Sequence, residues 1–143
     1  MSDMEELLRI ERECFTIEAF KSEQLLLLLT DSETVTLVAR VEDEVAGFVI
    51  GVVKDQGLAK SGHVLTLDVA PKHWRKGLGM KMLEEIEKIF LKMGAEISYL
   101  EVRKDNKAAR RLYRKQGYTE MRCLNHYYSK GIHGFRLMKH LKV

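Results

Sequence analysis

One proline, Pro71, occurs in the 143 residues, so almost the whole chain is free to enter helices or ladders and a strand reaching Pro71 must stop there. Cysteine is nearly absent as well. Cys14 and Cys123 lie far apart and in no metal-ligand spacing, which argues against a disulfide framework or a metal site and predicts reduced, buried thiols. The longest apolar stretches, Leu25 to Leu29 and Val45 to Val53, fall well short of the ~20 residues of a membrane span, so no membrane partner is expected. Met1 to Glu6 is acidic and lacks the basic start and apolar centre of a secretion signal, which predicts a cytoplasmic protein. Charge of one sign is also lacking: 24 Lys and Arg against 21 Asp and Glu leave a net charge of +3. A fold-wide basic footprint for nucleic acid is therefore missing. Local clusters remain, Arg110-Arg111 with Arg114-Lys115, and Arg136, Lys139, His140 and Lys142 near the end. They read as solvated faces or as patches able to meet phosphates.

What is present suits one compact core. A hydrophobic fraction of 45% over this length predicts a single domain, residues 1–143. Leu7, Leu8, Ile10 and Cys14 recur among charges with helical spacing from Met4 to Phe15, and a second helix is predicted over Ser22 to Leu29. Thr34 to Val41 and Val45 to Val53 are rich in β-branched residues and flank the turn-prone Glu42-Asp43-Glu44, as in an antiparallel hairpin. A loop with Gly57, Ser61 and Gly62 precedes a strand from His63 to Val69. Then Leu78, Met82, Leu83, Ile86, Ile89, Phe90 and Met93 repeat at helical spacing up to a stop at Gly94. Ile97 to Arg103 reads as a strand, Asn106 to Gln116 as a helix ended by Gly117, and Tyr118 to Tyr128 and Phe135 to Leu141 as closing strands. This order predicts an α/β (α+β) fold: a mixed sheet with helices on both faces.

Between the strand ending at Val69 and the helix opening at Leu78 lies Trp74-Arg75-Lys76-Gly77-Leu78-Gly79. The first amides of a helix have no intrahelical partner and the helix dipole favours anions there, so this turn suits a pyrophosphate, with Arg75 and Lys76 adding positive charge. Glycines also serve tight turns for steric reasons alone. The turn is neither a P-loop, since Gly-Lys-Ser/Thr is missing, nor a dinucleotide fingerprint, since no third glycine follows.

Pro71-x-x-Trp74-Arg75-Lys76-Gly77-Leu78-Gly79 resembles the acetyl-CoA-binding motif of the GNAT superfamily, Q/R-x-x-G-x-G/A. Downstream, Leu100-Glu101-Val102-Arg103, Asn106, Ala109, Leu112-Tyr113 and Gly117-Tyr118 resemble that family's L-E-V-R and N-x-x-A-x-x-L-Y-x-x-x-G-F/Y segments. Gly62-His63-Val64 and Tyr127-Tyr128 are most similar to RimI-type and archaeal amino-terminal protein acetyltransferases. The likeness runs from about Gly62 to the end, with a looser echo in Ile10 to Phe20 and the hairpin. Three departures stand out: Trp74 replaces the family's Gln or Arg, little chain precedes the first helix, so the family's first strand is short or absent, and Gly134-Phe135 replaces Asp-Ala.

The resemblance implies a mostly antiparallel sheet with two splayed parallel strands, and acetyl-CoA as cosubstrate with no metal. It implies that Leu67 and Val69 offer backbone groups to pantetheine and thioester, and that Arg75, Lys76, Gly77, Leu78, Gly79 and Met80 hold the pyrophosphate. Glu101 takes the family's general-base position; a structural ion pair with Arg103, on the same strand face, is the alternative. Tyr113 takes the general-acid position, though its helical spacing equally suits packing. Asn106 would bond cofactor or water, or cap a helix; His63 would assist proton removal, or be structural. Glu18, Tyr127 and Tyr128 would border the acceptor, with only one of the two adjacent tyrosines able to face it. The implied reaction is direct acetyl transfer in a ternary complex to the α-amine of a protein or peptide N-terminus. A lysine or polyamine acceptor, or a non-catalytic acyl-CoA-binding or nucleic-acid module, are the other readings.

Overall fold

A computed structural model describes residues 3–14, 34–55, 57, 59–129 and 131–141. Helix α1 (Asp3–Cys14) comes first, close to its predicted span, followed by strands β1 (Thr34–Val41) and β2 (Glu44–Asp55). The helix predicted over Ser22 to Leu29 lies outside the described residues. The β1–β2 turn is Glu42-Asp43, at φ 51° and 67°, and two left-handed residues match the twist of a tight hairpin. Strand β3 (Lys60–Val69) leads through a 3₁₀ turn at Pro71–His73 into α2 (Leu78–Lys92). Strand β4 (Ile97–Arg103), helix α3 (Lys107–Lys115) and strands β5 (Thr119–Ser129) and β6 (Ile132–His140) complete the order.

The six strands form one sheet in the order β1-β2-β3-β4-β6-β5. All neighbours are antiparallel except β3 and β4, which pair in parallel. On one face, Leu7 and Ile10 of α1 bury against Val45, Phe48, Ile50, Leu65 and Ala70. On the other, Met82, Leu83, Ile86 and Phe90 of α2 pack with Val49, Val64, Leu100, Val102 and Leu137, and α3 adds Ala109, Leu112 and Tyr113. Helices thus cover both faces.

The parallel pair is short. Its register joins Ser61 to Ile97, Gly62 to Ser98 and His63 to Tyr99, and there the pairing ends although β3 runs on to Val69 and β4 to Arg103. On its other side β3 carries a bulge: Ile50 opposes Thr66 while Gly51 opposes Val64, leaving Leu65 as the extra residue. A bulge bends its strand and raises the local twist, which accounts for the opening between β3 and β4.

Four sequence expectations need correction. Ser61 and Gly62 belong to β3 rather than to a loop, because Gly62 is the residue that lets the Phe90 ring lie flat on the strand: a Cβ there would sit 2.1 Å from Phe90 Cδ2. Strand β6 begins at Ile132, ahead of the predicted Phe135. Cys123 is exposed, since β5 is an edge strand. Met93, assigned to the helix's apolar stripe, is 41% exposed because the helix has ended by that point.

Adding the missing methyl tests the close packing at Phe90. Gly62→Ala should lower unfolding free energy by about 1–3 kcal/mol through overpacking, read from the denaturant midpoint. An unshifted midpoint would mean that Phe90 does not hold α2 to β3.

Candidate active site

Two clusters of polar groups flank the β3–β4 opening, one on each face of the sheet. The first is built where β3 turns into α2. Gly77 caps the helix at φ 78°, a left-handed conformation that suits glycine, and no side chain caps it. The first intrahelical bond runs from the Lys81 amide to the Gly77 carbonyl, 3.1 Å. The amides of Leu78, Gly79 and Met80 therefore point out of the helix without an intrahelical partner, at the end where the dipole is positive. Arg75 sits at φ 64°, a conformation few non-glycine residues adopt.

This turn opens onto a cleft of about 900 Å³, within the size range of small-molecule sites. Leu67, Val69, Arg75, Gly77, Leu78, Gly79, Met80, Asn106 and Tyr113 line it. These are all but one of the residues expected to bind the cofactor. The exception is Lys76, whose ammonium lies 3.0 Å from His73 Nδ1. Gly79 packs close to α3: a Cβ there would come within 3.3 Å of Leu112 Cδ1. Trp74, at the family's Gln/Arg position, also lines the cleft, and its indole donates to the Val69 carbonyl at 2.6 Å.

Helix α3 is held at the far wall by its ends. Asn106 caps it, accepting from the Ala109 amide at 3.1 Å, and also lines the cleft. Beyond the helix, Tyr118 donates to Glu87 of α2 at 2.9 Å and lies 2.7 Å from Ser98 of β4; Lys139 of β6 donates to the same Glu87 at 2.7 Å. Tyr113 packs edge-on against Tyr118, ring centroids 6.1 Å apart. Burial, with a smaller contribution from the charge of Asp68, pushes the Tyr113 phenol well above its ordinary range, so it stays protonated.

The second cluster lies on the α1 face. Glu101 of β4 is almost buried, and its two oxygens are divided between His63 of β3, Nε2 to Oε1 2.7 Å, and Arg136 of β6, Nε donating to Oε2 at 2.9 Å. A carboxylate only accepts, so Nε2 carries the imidazole proton. His63 Nδ1 is then buried and without a hydrogen-bond partner among the described residues. His63 stacks on Tyr99, centroids 4.2 Å apart. Burial raises the Glu101 pKa, but His63 and Arg136 outweigh it and hold the carboxyl below its ordinary value. The alternative of an ion pair with Arg103 is replaced by one with Arg136, opposite Glu101 in register; Arg103 binds Asp105 at 2.8 Å. Tyr127 borders this cluster: burial and the Glu101 charge raise its pKa, against Arg136. Glu18 and the Tyr128 side chain lie outside the described residues.

Sequence reasoning missed Arg136, His73, Arg111 and Lys115. The last three line the cleft, and Arg111 and Lys115 were visible only as part of a charge run. Among the described residues, no cluster of His, Cys, Asp and Glu could hold a metal ion, and no helix is long and apolar enough to cross a membrane.

Comparison with known proteins identifies the family and the fold. Residues 4–118 match the sequence profile of the Acetyltransferase (GNAT) family. An N-alpha-acetyltransferase of Sulfurisphaera tokodaii is 34% identical over 112 residues, 72% of this chain and 67% of that protein. An N-alpha-acetyltransferase of Sulfolobus acidocaldarius is 29% identical over 140 residues, 92% of this chain and 83% of that protein. The crystal structure of Ard1 from Thermoplasma volcanium has the same fold, with a TM-score of 0.89 over 99% of this chain and 93% of that one, at 24% identity.

The Glu101 ion pairs have a stability signature. A depressed carboxylate contributes stability that is complete above its ordinary value near 4.5 and is lost as pH falls through its lower folded-state value. Glu101→Gln should cost about 1–3 kcal/mol at neutral pH, shrinking toward zero in acid. Urea titrations across about pH 3 to 7 check this; a penalty independent of pH would show that Glu101 is not held ionised.

Proposed function

The chain belongs to the Acetyltransferase (GNAT) family and is an acetyl-CoA-dependent N-acetyltransferase; on that premise we propose that its acceptor is the α-amine of a protein or peptide N-terminus. The observation that carries this reading is the Glu101 carboxylate, held below its ordinary pKa by His63 and Arg136. Such a carboxylate is a weak base. An α-ammonium, with a pKa of about 7.7–8.0, gives up its proton far more readily than a lysine ammonium near 10.4. The difference is about 3.5 kcal/mol of deprotonation at a given pH. A weak base suits the first acceptor and handicaps the second.

Charge on this face supports the same choice. Arg122 stands opposite Arg136 in the β5–β6 register, and Arg136 opposite Glu101, so directly opposed positions share one face of the sheet. Two guanidiniums on that face, Arg136 and Arg122, disfavour a polyamine. The relatives from Sulfurisphaera tokodaii and Sulfolobus acidocaldarius are named N-alpha-acetyltransferases, which is consistent with an α-amine acceptor.

Acetyl-CoA supplies an acetyl thioester whose leaving group is a thiolate. The residues of the cleft fit it. The free amides of Leu78, Gly79 and Met80, with Arg75 beside them, match a pyrophosphate. The β3 and β4 edges beyond His63 and Tyr99 have lost each other as partners, and such edges accept an extended amide-bearing chain such as pantetheine. Asn106, which lines the cleft, bonds the same chain through its amide nitrogen, its oxygen being taken by the Ala109 amide. The opening joins the two faces, so a donor bound on the α2–α3 side can meet an amine on the Glu101 side. Glu101, with His63, takes the proton of the acceptor ammonium, and the free amine attacks directly. Tyr113, protonated and lining the cleft, returns a proton to the departing sulfur. Tyr127 borders the acceptor.

Labelled acetyl-CoA with paired peptides tests the proposal. One peptide has a free α-amine and acetylated lysines; the other has a blocked α-amine and free lysines; spermidine is a third acceptor. Label should enter the first alone, and equal or greater labelling of the others would overturn the reading. With the first peptide, Glu101→Gln and Tyr113→Phe should each lower kcat by about 10²-fold or more with little change in KM for acetyl-CoA.

A further inference from the structure

Strand β5 carries a bulge of its own. Glu120 opposes Leu137 and Arg122 opposes Arg136, so Met121 is the extra residue, and a bulge re-aims the side chains that follow it. Regular alternation would turn Glu120 and Arg122 to the same face of the sheet. Instead they part. Glu120 faces α3, where Arg110 donates to its carboxylate at 2.8 and 3.1 Å and Arg114 at 2.9 Å. Arg122 joins the other face, in one row with Arg136 of β6 and Glu101 of β4.

The carboxylates nearest that row in β3, β4 and the turn after β4 are engaged. Glu101 is shared by His63 and Arg136, Asp105 binds Arg103, and Asp68, wholly buried, accepts from Thr66 at 2.5 Å. Arg122 is exposed and has no carboxylate partner among the described residues. Arg136 gives Nε to Glu101 and keeps 39% of its side chain exposed. Two like charges directly opposite each other on a sheet repel, so this pair is poised to take an anion from outside. Strands lie about 4.8 Å apart, which sets the Arg136 and Arg122 positions about 5 and 10 Å from Glu101 across the sheet. An extended chain advances about 3.5 Å per residue. An acceptor with its α-amine at Glu101 and its chain running toward β5 therefore carries its second and third residues over the two guanidiniums.

We propose that Arg122, with Arg136, reads a carboxylate on the second or third residue of the acceptor and makes this enzyme select acidic N-termini. The proposal rests on the α-amine reading of the acceptor. A guanidinium presents a planar fork of donors that matches a carboxylate through two parallel hydrogen bonds. A carboxylate placed between the arginines also relieves their mutual repulsion, whereas a basic acceptor adds to it. Arg122 stands two strands from Glu101, so the selection appears in KM for the peptide and not in kcat.

Labelled acetyl transfer by the whole chain to three peptides tests the selection. All have a free α-amine on alanine and no lysine, and they differ in their second and third residues: Asp-Glu, Asn-Gln or Arg-Arg. The unmodified protein should show a kcat/KM about 5- to 10-fold higher for the acidic peptide than for the neutral one, with the arginine peptide lowest. Arg122→Gln should cut the acidic-to-neutral ratio about 3-fold or more, and Arg122→Glu should reverse the order so that the arginine peptide is preferred. Lys92→Gln, an equal loss of charge at the end of α2 on the opposite face, should keep the ratio. Raising the salt concentration should narrow it in the unmodified protein. Equal kcat/KM for the acidic and neutral peptides, or a preference that survives Arg122→Glu, would overturn the selection and leave the α-amine reading intact. Failure to label any of the three would instead overturn the α-amine reading, and the selection with it.

Discussion

The extra residue in β3 at Leu65 is the constraint on which the candidate active site depends. Side chains alternate along a strand, so one inserted residue sends every later side chain to the opposite face. His63 lies before the bulge and faces α1, where it meets Glu101. Leu67 and Val69 lie after it and face the α2–α3 cleft. Regular alternation would have put all three on one side. The same bulge bends β3 away from β4 just past the last pair, His63 with Tyr99. A single irregularity therefore separates the Glu101 cluster from the α2–α3 cleft and opens the sheet between them.

Electrostatics divides along the same line. The cleft side presents helix-end amides, Arg75, Arg111 and Lys115, an arrangement for phosphates. The α1 side presents one nearly buried carboxylate held ionised between an imidazole and a guanidinium. Tyr113 belongs to the first side but titrates in the opposite sense from Glu101, its phenol pushed up mainly by burial. The two pKa values are thus driven apart, as the proposed roles of proton acceptor and proton donor need. The Glu87 carboxylate, joined to Tyr118 and Lys139, ties α2 to β6 and the end of α3, and so holds the two walls of the cleft in fixed relation.

Much of this was legible in the sequence, and the exceptions share a cause. Strand β4 was bounded correctly because Gly94 and Asn106 punctuate it locally, and Gly77 and Gly79 marked the helix entry. Gly62 misled because it reads as a turn residue, whereas its place in β3 is dictated by Phe90, on a different element. The bulge left one trace that was not read, the adjacent apolar pair Val64-Leu65 in an otherwise alternating run. Arg136 was hidden because its tie to Glu101 spans 35 residues and depends on the β4–β6 register, which no local pattern encodes. Arg111 and Lys115 looked like any charge run until Glu120 claimed their two neighbours. The resemblance in the motifs gave the chemistry, while long-range pairing decided which residues stand beside it.

The central claim is that the donor lies along the opened β3–β4 edges with its phosphates on the first turn of α2. Amide hydrogen exchange with and without acetyl-CoA tests it most directly. Protection should appear in Leu78 to Met80 and along β3 from Val64 to Val69, with β1 and the β1–β2 turn unchanged. Acetyl-CoA binding that leaves those two segments exchanging as before, or that protects a different face of the sheet, would contradict it.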